Sequence, residues 1–351
     1  MTPPLSKPAR RSFRWGGLLL KIGVSVLAVA ATWHLLAGLD WRQLRDRLGE
    51  ASWMVLSLAI VCLLARWIVW DGRFRLAARE AMGLRPGSVV SYFVLKASVA
   101  LNLITPSARL IGGLMRARYF SRTEGRSFGA LYGVVLYDQI AHQVVAGTAT
   151  WIAVITTAWT LGRRDLAAAA AVALVATATG LVVWGRRGRF GTNPLVRFLA
   201  RRAARADGRL QSVFAHGHEA VRVFLHLLRR PALHLRAALL GLLYVAFNVG
   251  AQWLVFSALG RPIDLAVAFA GISLGIAAGS LTGTPGGLGT TEAAMVAAFT
   301  LLGVDRVDAA AGTLLCRGLH YATVLGLGLP ALLVLEFRLP QAPLEAAGEG
   351  G

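Results

Sequence analysis

Charged side chains stranded in apolar sequence are where this chain could do chemistry. Glu292 closes the stretch Pro285-Gly286-Gly287-Leu288-Gly289-Thr290-Thr291-Glu292, and Arg317 stands among Leu314, Leu315 and Leu319. Asn102, Pro106, Arg109, the pair Gly112-Gly113 and Arg116 make a second interrupted stretch. A carboxylate or guanidinium at membrane depth is expensive without a partner, and by default it marks a substrate or ion pathway. Proline and glycine at matching places in two halves of a membrane protein mark unwound segments, where such pathways are built. Function is therefore sought between the two breaks.

At the second break, Gly286, Gly287 and Gly289 let the backbone turn and approach a neighbour closely. A helix starting near Thr290 would present free N–H groups that favour an anion. Glu292 lies in its first turn, and Arg317 is the expected partner. That pair either fixes the hairpin or serves substrate or protons. At the first break, Lys96, Arg109 and Arg116 are cations, and arginine suits bidentate phosphate binding. Arg116 has snorkelling as its alternative; Asn102 caps the unwound segment or touches ligand. Asp138 and His142, four residues apart, share a helix face as a proton relay or a hydrogen-bonded pair. His320 and Tyr321 are possible polar lining, with the tyrosine better suited to packing. No catalytic residue, metal or cofactor is expected: Asp71-Gly72 and Gly279-Ser280 lack the partners of the enzyme motifs they mimic, and no nucleotide loop is present. Cys62 and Cys316 read as inert buried thiols.

The elements that hold these residues must be membrane helices. With 56% hydrophobic and 15% charged residues, 351 positions would overfill any one soluble core. The net charge of +20 is not read as nucleic-acid binding, because its arginines sit in loops between apolar runs. Twelve of them, from Arg186 to Arg236, face only Asp207 and Glu219 and make one basic cytoplasmic loop. Lys7, Arg10, Arg11 and Arg14 precede an apolar run that reaches Leu39, so the N-terminus reads as an uncleaved first helix rather than a signal peptide.

Spans are expected at 16–39, 52–70, 129–161, 166–184, 237–259 and 308–335. The breaks then form re-entrant hairpins with arms at 88–105 and 109–120, and at 265–283 and 288–302; two further full spans per break is the rival arrangement. Loop charges place both termini in the cytoplasm and make the hairpins enter from opposite faces. The fold class is thus an all-α polytopic membrane protein, an inverted repeat of three transmembrane helices plus one re-entrant hairpin per half. The first repeat takes residues 1–161 with a hairpin over 88–120. The second takes 162–340, with the basic loop 185–236 and a hairpin over 265–302, and 341–351 is a flexible tail. Trp15, Trp41, Trp53, Trp70, Trp159 and Trp184 lie near span ends, as an interfacial belt requires. The stretch from Arg197 to Arg230 reads as a surface helix on anionic lipid or as a solvated loop.

These motifs resemble the flippase-like transmembrane domain of the lysylphosphatidylglycerol synthases and its stand-alone relatives. The resemblance rests on Pro285 to Glu292 with Gly303-Val304 and Arg317, and on Asn102, Pro106, Gly112, Gly113, Arg116, Tyr119 and Arg122. It runs from the second span onward and departs at Asp138-Gln139, where relatives carry an acidic residue followed by arginine. It implies a lipid flippase of the cytoplasmic (inner) membrane that moves an anionic or glycan-bearing lipid: a phospholipid, polyprenyl phosphate or hopanoid-type lipid. The substrate-binding set is Asn102, Pro106, Arg109, Gly112, Gly113, Arg116, Pro285, Gly286, Gly287, Gly289, Glu292 and Arg317. Bifunctional members append a soluble aminoacyl-transferase domain; ending at Gly351, this chain is expected not to be an enzyme. The alternative is a non-transporting membrane partner of a lipid or glycan synthase, docked through the basic loop; deleting residues 190–230 would separate the two.

Overall fold

Hydrocarbon supplies no partner for a backbone N–H or C=O, so apolar sequence of this kind has to satisfy its backbone within helices. The structure, a computed structural model, describes residues 40–105, 110–187, 194–205, 208–282 and 285–338. Among these it is all-helical, with no strand. The expected span at 16–39, Pro106, Arg109 and the tail 341–351 lie outside the described residues.

Asp40 caps α1 (Trp41–Gly49) by accepting from the N–H groups of Arg42 and Gln43. Helix α2 (Trp53–Met82) ends at Gly83, whose φ of 66° only glycine adopts without cost. Then follow α3 (Ser88–Ile104), α4 (Leu110–Glu124), α5 (Phe128–Thr160), α6 (Arg164–Arg187), α7 (Pro194–Arg205), α8 (Gly208–Leu227) and α9 (Pro231–Ala258). Helix α10 (Leu265–Thr282), a 3-10 turn (Pro285–Gly287), α11 (Thr290–Leu301) and α12 (Arg306–Arg338) complete the chain. Among the described residues, α2, α5, α9 and α12 up to Leu335 are long and apolar enough to cross a membrane. The polytopic all-α class is therefore observed.

Two boundaries differ from the sequence expectation. The span expected to stop at residue 70 continues to Met82, because nothing before Gly83 breaks it. Asp71 and Arg73 are consequently buried helix residues rather than members of a cytoplasmic loop. The basic 185–236 segment contains α7 and α8, and α8 is docked on α5 rather than solvated. A Cβ added to Gly129 or Gly133 would lie 2.6 Å and 2.5 Å from the carbonyls of His216 and Ala220, so only glycine permits that approach.

Each break joins two arms packed on one another, α3 on α4 and α10 on α11. Gly271, Gly275 and Gly279 line one face of α10 and receive Phe299, Met295 and Thr291 of α11. On the first hairpin a Cβ at Gly112 would land on the Ser98 carbonyl and the Asn102 side chain. At 17 and 18 residues, α3 and α10 reach roughly 26 Å, short of the ~30 Å hydrocarbon core.

Helices α2 and α9 run antiparallel: the Ser52 N–H donates to the Ala258 carbonyl at 2.8 Å, and Arg236 lies 3.8 Å from Glu80 at the other end. Several packings of the first half have counterparts in the second. As α3 packs on α12, so α10 packs on α5; as α4 packs on α5, so α11 packs on α12. Phe74 stacks on Phe120 between α2 and α4 with centroids 5.3 Å apart, and Phe256 meets Phe299 between α9 and α11 at 4.9 Å. These are pairings that a repeat of the two halves would make.

Gly112→Ala should loosen the first hairpin and lower stability by roughly 1–3 kcal/mol, as overpacking does. Gly250→Ala, where an added Cβ meets nothing within 4 Å, should be neutral or slightly stabilising. Thermal unfolding of the two variants in detergent checks both; equal melting temperatures would contradict the packing.

Candidate functional site

The glycines of the second break free its backbone, and side chains then take up the freed groups. Gly286, Gly287 and Gly289 have φ of 59°, 71° and 81°, all in the left-handed region. Glu292 reaches back from the first turn of α11, and its Oε2 accepts from the Gly289 N–H at 2.8 Å. Its Oε1 accepts from Arg317 Nε at 2.6 Å and from the Tyr321 hydroxyl at 2.9 Å. Arg317 also donates to the Gly286 carbonyl at 3.0 Å and to Tyr321. The expected Glu292–Arg317 pair therefore exists, and it fastens the turn to α12. Tyr321 belongs to it as a hydrogen-bonding member, not as packing.

At the first break, Asn102 acts as a cap: its Oδ1 accepts from the Gly112 N–H at 2.8 Å, across the interruption. Gly113 packs closely on Gln139 of α5. Arg116 turns away from the break into a buried ionic network. Its guanidinium lies 3.2 Å from Asp138 and 3.3 Å from Asp71, and 3.6 Å from the centre of the Phe74 ring. Arg73 pairs with Asp138 at 2.7 Å, Arg75 with Asp71 at 2.9 Å, and Trp70 and Ser91 donate to Asp138 and Asp71. The network ties together α2, α3, α4 and α5. Asp138 is thus a junction of three donors from α2 and α4, while His142 stacks on Trp70 with centroids 4.3 Å apart. Trp70, expected in the interfacial belt, is instead an interior residue, because α2 does not end there; Trp41, Trp53 and Trp159 are exposed.

The two polar groups differ in access. The side chains of Arg73 and Asp138 are 1% exposed, whereas Arg317 and Glu292 keep 13% and 10%, so the second pair is the one a ligand could reach. A cavity of about 300 Å³ lies beside it, at the lower end of ligand-pocket sizes. The spans contribute Arg66, Tyr244, Asn248, Arg317 and His320; the hairpin tips contribute Asn102, Leu103, Gly286 and Gly287. The tips meet: a Cβ on Gly286 would strike the Leu103 side chain. A smaller space of about 220 Å³ adjoins it, reaching Arg116, Asp138 and Gly113. Trp70, Asn102 and His142 line both.

Of the expected site residues, the structure brings Asn102, Gly286, Gly287 and Arg317 to the central cavity. Glu292 and Gly289 stand behind Arg317, while Gly112, Gly113 and Arg116 bind the first hairpin to its neighbours. Pro285 opens the 3-10 turn. Sequence reasoning passed over Asp71, Arg73 and Arg66. Arg66 carried a usable signal, an arginine in the middle of an expected span.

A sequence profile described as the lysylphosphatidylglycerol synthase TM region matches residues 18–328. A UPF0104 membrane protein of Methanothermobacter thermautotrophicus is 23% identical over 329 residues, covering 90% of this chain and 94% of that protein.

Breaking a buried ion pair on one side strands the other charge, at about 3–5 kcal/mol. Asp138→Asn, which leaves Arg73 and Arg116 short of a carboxylate, should therefore sharply reduce folded protein. Glu292→Gln, at a partly accessible pair, should fold. Monodisperse yield on size exclusion compares them, and a fully folded Asp138→Asn protein would show the network to be dispensable.

Proposed function

The chain belongs to the lysylphosphatidylglycerol synthase TM region family and is an integral multi-pass membrane protein; from that premise we propose that it is a flippase, moving an anionic or glycan-bearing lipid across the cytoplasmic membrane. The observation that carries this reading is the meeting of the two hairpin tips, Leu103 and Gly286, over one cavity that Arg66, Asn248 and Arg317 line among apolar side chains. A lipid headgroup crossing the bilayer needs polar surroundings at mid-depth, whereas its tails do not. Hairpins that stop short of a full crossing leave such a passage, and tails stay in the surrounding lipid.

In this reading the headgroup lies between the tips, and the Glu292–Arg317 pair acts as the latch. Arg317 holds the Gly286 carbonyl as well as Glu292, so an anion that draws on the guanidinium also loosens the second turn. Binding and opening are then one event, and a ligand shifts the equilibrium by its differential affinity for the two states. No covalent bond is made or broken, so the protein is proposed to be a carrier and not an enzyme. Candidate lipids are phospholipids, polyprenyl phosphates and hopanoid-type lipids. In this reading both termini lie in the cytoplasm, which the loop charges support.

The partner-docking alternative would use the exposed arginines of α7, such as Arg197, Arg201 and Arg202. Removing residues 190–230 would also strip α8 from α5, so charge reversal of those three arginines is the cleaner separation: an autonomous flippase keeps its activity.

Reconstituted vesicles carrying a fluorescent phosphatidylglycerol, bleached from outside by dithionite, measure the movement. The natural protein should expose inner-leaflet lipid. Glu292→Gln with Arg317→Ala should slow this by about tenfold or more, the effect of roughly 1.4 kcal/mol on a barrier. Rates unchanged by Glu292→Gln, Arg317→Ala and Arg109→Ala together would sink the proposed site.

A further inference from the structure

Arg66 is a cation whose charge the surrounding protein does not answer. It projects from the middle of α2 into the central cavity and is only 5% exposed. One terminal nitrogen donates to the Asn248 Oδ1, and the other meets Nδ1 of His320. Its Nε is buried with no hydrogen-bond partner. The rings of Trp67 and Tyr244 lie 5.1 Å and 6.0 Å from its guanidinium carbon, which softens the charge without neutralising it. Among the described residues no carboxylate lies within ion-pair distance of it, although the other interior arginines each have one: Arg73 and Arg116 at Asp138, Arg317 at Glu292.

Lys96 makes the imbalance larger. It is fully buried on α3, reaches the Thr323 carbonyl at 3.4 Å, and sits 4.9 Å from the same Trp67 ring. Two basic side chains thus flank one indole, and among the described residues no carboxylate forms an ion pair with either. A buried charge in a membrane protein persists where function uses it, since its desolvation is otherwise unrewarded.

We infer that Arg66, seated between Asn248 and His320, is the phosphate-binding centre of the cavity, and that it receives the phosphate of an anionic lipid headgroup. The planar guanidinium offers a fork of donors matched to phosphate oxygens, and its Nε has no hydrogen-bond partner within the protein. Arg317 lines the same cavity, so a phosphate held at Arg66 lies in the space that the latch borders. This also explains why Arg116 can be spent on two carboxylates: the phosphate ligand is on α2. The inference rests on the proposed lipid movement for the headgroup's tails, but not for the phosphate itself.

The test is thermal stabilisation of the purified full-length protein in detergent by three probes: dihexanoyl phosphatidylglycerol, phosphate-free dihexanoylglycerol and inorganic phosphate. The phosphatidylglycerol should raise the melting temperature saturably and dihexanoylglycerol should not. Arg66→Met should melt no lower than the natural protein without ligand, because it removes an unanswered charge, and should bind the phosphatidylglycerol at least about tenfold more weakly. Arg66→Lys, which keeps the charge and loses the fork, should fall between them. An unchanged affinity in folded Arg66→Met and Arg66→Lys, or equal stabilisation by dihexanoylglycerol, overturns the site. Inorganic phosphate acting as strongly as the phosphatidylglycerol at equal concentration overturns the headgroup assignment. Arg66-dependent binding alongside no lipid movement in vesicles counts against the flippase and leaves the site standing; movement without such binding does the reverse.

Discussion

The structure depends on one constraint, that a polar group in hydrocarbon must find its partner within the protein. Each helix break is possible only because a side chain takes up what the break releases. Asn102 takes the Gly112 N–H, Glu292 takes the Gly289 N–H, and Arg317 takes the Gly286 carbonyl. These contacts hold the hairpin tips where Leu103 meets Gly286, and so they shape the cavity. The same requirement draws α2, α4 and α5 together around Asp71 and Asp138. Apolar packing then closes each half, around the Phe74–Phe120 and Phe256–Phe299 contacts.

The two ionic groups are alike in chemistry and different in duty. In the first, two carboxylates answer the buried Arg73 and Arg116 and the half-buried Arg75, so removing either carboxylate leaves a buried guanidinium short of a partner. The second holds a single carboxylate and a single arginine at the cavity wall, supported by a tyrosine hydroxyl and a carbonyl. The second arm pair is thus fastened by one accessible ion pair, where the first is tied in by a buried network.

Proline and glycine made both hairpins legible in sequence, because few other residues stop an apolar helix so abruptly. Glu292 and Arg317 could be paired for a related reason: each was a lone charge at depth, and each was the other's available answer. Asp71 and Arg73 were not legible. A span cut at residue 70 by its length put them in a loop, where basic residues are ordinary, and only the backbone running on to Gly83 shows otherwise. The ion-pair partners of Arg116 and Asp138 lie on other helices, 22 to 65 residues away, so spacing within one helix suggested His142 as the partner of Asp138 and hid the network. Arg66 was visible as a lone arginine in an expected span, but its partners Asn248 and His320 lie 182 and 254 residues away, so spacing gave it no role.

Arg66 and Asn248 are 182 residues apart, the separation that also relates Phe74 to Phe256. In a repeat of that spacing their hydrogen bond would join the same position of the two halves. A side chain at such a point always faces its own counterpart, and identical residues serve badly there: two arginines would repel, and two asparagines would leave the cavity uncharged. Phenylalanine contacts made within a half are under no such pressure and survive in both copies. In such a repeat symmetry would have to break where the halves touch, and an arginine facing an asparagine is a pair of that kind.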